Sequence, residues 1–141
     1  MKTELEGRTK DFSLRIVRLI RAFPKTVDGI EMGRQLLRSG TSIGANYREA
    51  NHAESKQDFI HKVTIAEKEA SETAYWLEIC AESPLGETAE VRALLKESQE
   101  LLAIVTTIGR KAKGKNVRIA TFAMAVLALI AILFPLSAFH L

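Results

Sequence analysis

Gln35–Ala50, QLLRSGTSIGANYREA, has the make-up of a helix but carries glycine, serine and threonine where a helix normally places its large apolar residues. Gly40 and Gly44 stand four apart, with Ser39, Ser42 and Ala45 beside them, so one flank of this helix has almost no side chain. A glycine inside a helix costs roughly 0.5–1 kcal/mol relative to alanine, so two of them require a packing or functional reason. The pattern predicts a second backbone lying very close to this flank.

Outward from that stretch the chain reads as helix throughout, with no convincing strand up to about Lys115. The spacing predicts a first helix over about Asp11–Phe23, where Phe12, Ile16, Leu19, Ile20 and Phe23 recur at helical intervals and Arg15, Arg18 and Arg21 fall opposite them. Pro24 ends it, because the residue before a proline is pushed away from helical angles. Asp28 followed by Glu31 reads as a capping box opening a second helix over about Gly29–His52, and Ser55 with Asp58 repeats the device for a third over about Lys56–Ser83. Pro84 and Gly86 close that one. A fourth helix, about Thr88–Lys111, carries Val91, Leu94, Leu95, Leu101, Leu102, Val105 and Ile108 in threes and fours, the seam of a bundle. Short connections imply antiparallel neighbours.

The third helix is apolar on two sides. Phe59, Val63, Ala66, Ala70, Ala74 and Leu77 form one stripe, while Ile65, Tyr75, Trp76, Ile79 and Cys80 lie elsewhere on the circumference with Glu69 and Glu72 among them. A bundle needs one stripe per helix, so the second marks either a subunit interface or a wide core with Trp76 at its edge. Carboxylates in such a setting need partners, and Arg38, Asn46 and Lys62 are the candidates.

The 141 residues hold 20 Lys+Arg against 17 Asp+Glu, a net charge of +3 that permits contact with nucleic acid or an anionic membrane without requiring it. The lone cysteine, Cys80, rules out an intramolecular disulfide and a cysteine zinc cluster, and it fits a reducing compartment. Composition changes near Val117: the 21 residues 119–139, IATFAMAVLALIAILFPLSAF, carry no charge and follow Arg110, Lys111, Lys113, Lys115 and Arg118. At about 1.5 Å per residue such a run is ~31 Å long, close to the hydrocarbon thickness of a bilayer. Basic residues just before it favour a cytoplasmic bundle held at the inner membrane by a C-terminal anchor. A buried C-terminal helix, or an interfacial one broken at Pro135, is the competing reading. No amino-terminal targeting segment is visible.

Glu49-x-x-His52 and Asp58-x-x-His61 superficially resemble the carboxylate and histidine pairs of di-metal bundles. They flank a connection, however, whereas di-metal bundles bury such pairs in mid-helix with further glutamates. Ser39 and Ser42 have no histidine nearby, and no phosphate loop or dinucleotide fingerprint occurs, so no enzyme, metal or cofactor is expected.

QLLRSGTSIGANYREA, preceded by the FPK of Phe23–Lys25 and followed by SKQDFIHKVTIAEKEASETAYWLE over Ser55–Glu78, resembles the four-helix-bundle family of 23S rRNA intervening-sequence proteins across about residues 10–112. The resemblance implies an antiparallel up-and-down bundle that assembles as a homopentamer. It also implies kinship with the accessory protein of diversity-generating retroelements, a basic pentameric barrel that binds nucleic acid and reverse transcriptase. The family pattern carries no catalytic residues; its signature is structural and falls here on Arg38, Ser42, Ile43, Gly44, Asn46, Glu49, Ala66, Glu69, Glu72 and Leu77. Members usually end soon after the fourth helix, whereas this chain adds the charged linker and apolar tail.

The expectation is therefore an all-α four-helix bundle over residues 1–112, a basic linker at 113–118 and an additional apolar helix at 119–141 that anchors it in a membrane. Its function would be that of an oligomeric scaffold or adaptor, with Ile65, Tyr75, Trp76 and Ile79 at the subunit interface. The alternative is a nucleic-acid-binding accessory protein that contacts RNA or DNA through Arg15, Arg18, Arg21, Lys25, Arg34 and Arg38, a stripe that a pentamer would repeat around its axis.

Overall fold

The computed structural model describes residues 4–83, 85 and 88–114 in full, together with the helical backbone of 2–3 and 115–133. Four helices follow one another, α1 (Lys2–Arg21), α2 (Val27–Asn51), α3 (Lys56–Glu82) and α4 (Ala89–Leu133), and no strand occurs among the described residues. The chain divides into two compact units, Met1–Gly109 and Arg110–Leu141. The first holds the bundle.

Side-chain contacts fix its directions. Gly40 lies against Ile16 and Gly44 against Thr9, so α1 and α2 run antiparallel. Lys62 pairs with Glu49 across the α2–α3 turn, and Thr106 donates to Glu67 while Gly109 packs on Val63, which sets α4 antiparallel to α3. Arg8 reaches Glu97 and Arg15 reaches Glu90, closing α4 back onto α1. The core between them is built from Phe12, Ile16, Leu36, Ile43, Ala66, Ala70, Leu77, Val91, Leu94, Leu101 and Val105. The seam expected on α4 is the one that packs: Leu95, Leu102 and Ile108 lean on the same core from its edge.

The small-sided flank of α2 meets α1. A Cβ added at Gly40 would stand 3.0 Å from Ile16, and one at Gly44 would stand 3.2 Å from Thr9. The backbones are close enough for Ser13 Oγ to donate to the Gly40 carbonyl at 3.3 Å. The glycines are therefore spent on approach between two helices.

Three boundaries and placements depart from expectation. The first helix starts at Lys2 and not near Asp11, because Leu5 and Thr9 are buried and extend the apolar face by two turns. Thr26, and not Asp28, caps α2: its Oγ1 accepts from Gly29 N at 3.3 Å, which leaves Asp28 inside the first turn, where negative charge is favoured by the helix dipole. Ser55 caps α3 as expected, accepting from Asp58 N at 3.1 Å. Cys80 belongs to the core and not to the second stripe of α3, and burial pushes its thiol pKa up to about 11.

At the end of the chain the helical backbone of α4 runs to Leu133, across the residues 113–118 expected as a linker, and a separate apolar C-terminal helix is not shown. Among the described residues no helix is long and apolar enough to cross a membrane. The anchor expected at 119–139 lies outside the residues described in full.

Candidate functional site

Two surfaces gather the residues singled out in the sequence. The first is the face shared by α2 and α3. Helical spacing puts Arg38, Ser42, Asn46 and Glu49 along the α3 side of α2, and Ile65, Glu69, Glu72, Trp76 and Ile79 along the facing side of α3. Ile43, Ala66 and Leu77, also in the signature, point inward and are fully buried. The signature thus joins three core residues to residues of this surface, with Gly44 set apart against α1.

Polar groups on this face are mostly satisfied within it. Asn46 Nδ2 donates to the Ser42 carbonyl at 2.9 Å, Lys62 pairs with Glu49, and Trp76 Nε1 donates to Glu72 at 3.3 Å. Lys62 is therefore not the partner of Glu69 or Glu72. Glu69 Oε2 is the one buried side-chain oxygen or nitrogen without a hydrogen-bond partner among the described residues. Its pKa is raised by burial first and by the neighbouring Glu72 second, and Arg38 opposes the shift without forming a bond to it. Helical spacing puts half-buried Ile65 one turn before this carboxylate and half-buried Trp76 and Ile79 two and three turns beyond it on the same face, while the 55% exposed Tyr75 lies further round the helix, its ring meeting Trp76 edge-on at 5.1 Å.

The second surface lies where α1 turns into α2. An open groove of about 470 Å³ is bordered by Arg21, Lys25 and Arg34, with Ile30 and Leu37 as apolar walls and Ile20 and Phe23 below. No carboxylate lines it. The six basic residues expected to form one stripe are thereby divided. Arg15 Nε binds Glu90 at 2.9 Å, which holds the guanidinium pKa above its ordinary value, and Arg18 donates to the Leu14 carbonyl beside it. Arg38 sits on the other surface, facing Glu69. Arg21, Lys25 and Arg34 alone are brought together.

Sequence reasoning passed over Ile30 and Leu37. Their signal was available, since they stand seven apart on α2 and off the buried series Leu36, Gly40, Ile43 and Tyr47. The histidine pairs fall as expected beside the α2–α3 connection, where His52 caps the end of α2 and His61 is exposed near the start of α3. Among the described residues no group of three or more His, Cys, Asp or Glu is placed to hold a metal ion.

The comparisons with known proteins agree with the geometry. The family model of the 23S rRNA-intervening sequence protein matches residues 2–107. A solved structure from Bacteroides thetaiotaomicron, a protein of unknown function from the S23 ribosomal protein family, superposes with a TM-score of 0.71 at 38% identity, covering 78% of this chain and 99% of that one. No curated protein matches the chain. The match extends from α1 to the last bundle turns of α4 and includes every residue of the signature, so this chain belongs to the family of 23S rRNA-intervening sequence proteins.

Proposed function

We propose that the chain is a non-enzymatic scaffold that self-associates, as a homopentamer, through the face shared by α2 and α3. The observation that carries this reading is Glu69 Oε2, buried without a donor. An unpaired buried acceptor costs roughly 1–3 kcal/mol, and a donor from a second copy would remove that cost. Trp76, two turns along the same face of α3, and Tyr75 against its ring are residue types enriched where subunits meet, and Ile65 and Ile79 add apolar area that one bundle leaves half-covered. Cyclic symmetry would carry every tail to an equivalent position about one axis, which suits attachment to a single membrane through the uncharged run 119–139.

Light scattering on the full chain in mild detergent tests the assembly. A mass of five chains is expected, falling in Trp76→Ala; the mass of a single chain in the wild type overturns the reading. Cell fractionation tests the tether separately. The full chain should sediment with membranes and be released by removal of residues 117–141, and a soluble full-length protein removes the tether while leaving the assembly standing.

Nucleic-acid binding draws on less. Arg15 is occupied by Glu90 and Arg38 faces Glu69, so phosphate contact would fall to Arg21, Lys25 and Arg34. RNA or DNA affinity that does not change with salt would remove this alternative.

A further inference from the structure

We propose that the groove at the α1–α2 turn is a docking site for an acidic amphipathic helix of a partner protein. The inference starts from how the groove is made. Ala22 and Phe23 close the end of α1 by donating to the Leu19 and Ile20 carbonyls, and Pro24 turns the chain back over the start of α2. A Cβ at Gly29 would strike the Pro24 carbonyl oxygen far inside contact distance, and one at Gly33 would rest on Ile20 and Phe23. The turn is thus pressed onto the first two turns of α2, and the floor between them is fixed by packing.

That packing leaves aliphatic side chains uncovered. Ile30 is 52% exposed and Leu37 40%, and with Gly33 and Arg34 between them they run along one face of α2 at helical spacing. Val27, 88% exposed, continues the apolar strip toward the turn. Arg21, Lys25 and Arg34 stand around this strip, and Arg34 pairs with Glu31 at 3.8 Å with both side chains more than half exposed. Such an exposed pair contributes little and leaves the rim positive.

The occupant follows from the combination. Aliphatic walls spaced one and two helical turns apart accept aliphatic side chains at i, i+3 or i+4 and i+7, the pattern of a helix laid in a groove. A cationic rim then selects acidic residues on the flanks of that helix. A nucleic acid would satisfy the rim but set sugar and phosphate against Ile30 and Leu37, and the groove offers bases a single aromatic ring to stack on, the half-buried Phe23. A lipid surface is flat, whereas these apolar groups line a concavity. The site does not depend on self-association through the α2–α3 face.

The full chain in mild detergent can be titrated against a labelled peptide of sixteen residues with leucine at i, i+3, i+4 and i+7 and glutamate at most other positions. Saturable binding, followed by anisotropy, is expected to weaken at least tenfold in Arg34→Glu, in Ile30→Asp, and when the glutamates of the peptide are replaced by glutamine. Leu14→Asp, at an exposed leucine on α1 outside the groove, should leave binding unchanged. If Ile30→Asp loses its helical circular dichroism, Lys25→Glu, an exposed position between helices, takes its place. Absence of saturable binding overturns the proposal, as does binding that these substitutions do not move. It is equally overturned if poly(U) or short-chain phosphatidylserine binds more tightly than the peptide and loses its affinity in the same variants.

Discussion

At the scale of single residues, the glycines of α2 separate two kinds of close approach. The atoms that a Cβ would meet at Gly40 are the Cγ1, Cγ2 and Cβ of buried Ile16, at 3.0–3.5 Å, a branched side chain stiff at χ1 that must give by a few tenths of an ångström, whereas at Gly29 it is the backbone carbonyl of Pro24. Alanine gains up to about 1 kcal/mol over glycine in helix propensity at either place. Gly40→Ala, which asks Ile16 to shift only slightly, should therefore lose less than Gly29→Ala, which should lose about 1–3 kcal/mol by displacing the turn. Leucine is too large for either accommodation, and Gly40→Leu and Gly44→Leu should each cost about 1–3 kcal/mol or more. Urea denaturation midpoints of the variants check the order: equal losses for alanine at Gly29 and Gly40 would show that the two contacts yield alike.

Among elements, the contact of α1 with α4 depends on ion pairs that have no local signature. Arg8 Nε and Nη2 bind the two oxygens of Glu97 at 2.6 and 2.9 Å, and Nη2 also reaches Glu100. The Arg8 bond holds the Glu97 pKa below the ordinary carboxylate value, so the folded chain binds that proton less readily than the unfolded chain. The stability gained is present above the ordinary value and is lost as the pH falls through the depressed one. Arg8 remains about a third exposed, so screening keeps the gain small, and Glu97→Gln should cost about 0.5–1 kcal/mol at neutral pH. That difference should vanish in acid, where both chains carry an uncharged side chain at position 97; a difference that persists would assign the cost to packing. The partners are 89 residues apart, and nothing in either neighbourhood announces the pair. The seam of α4 and the Ser55 cap were legible because periodicity and capping are properties of a short window. The first two turns of α1 were not, since their buried face consists of Leu5 and the polar Thr9, which is small enough to lie under Gly44. For the same reason the basic residues read as one stripe, although Glu90 on a distant helix removes Arg15 from it.

For the molecule as a whole, the proposed self-association would be linked to proton binding through Glu69. Within one subunit its pKa is raised by burial and by Glu72 on its own helix, with Arg38 on α2 as the opposing cation, so the free subunit gives up that proton less readily than an ordinary carboxyl does. A donor supplied by a second copy would favour the charged carboxylate and bring the pKa down. Fewer protons are then bound in the assembly than in free subunits, and raising the pH through that window must drive subunits together. The sign is opposite to that expected if burial of Glu69 simply deepened at the interface, since the assembly would then take up protons and strengthen in acid. Sedimentation of the full chain in mild detergent over a series from about pH 4 to about pH 8 distinguishes the two by the direction of the change. Larger species are expected at the higher pH, with the pH dependence abolished in Glu69→Gln and retained in Glu67→Gln, whose carboxylate already accepts from Thr106 on α4. Tighter association at the lower pH, or the same dependence in Glu69→Gln, would place the missing donor somewhere other than on a neighbouring subunit.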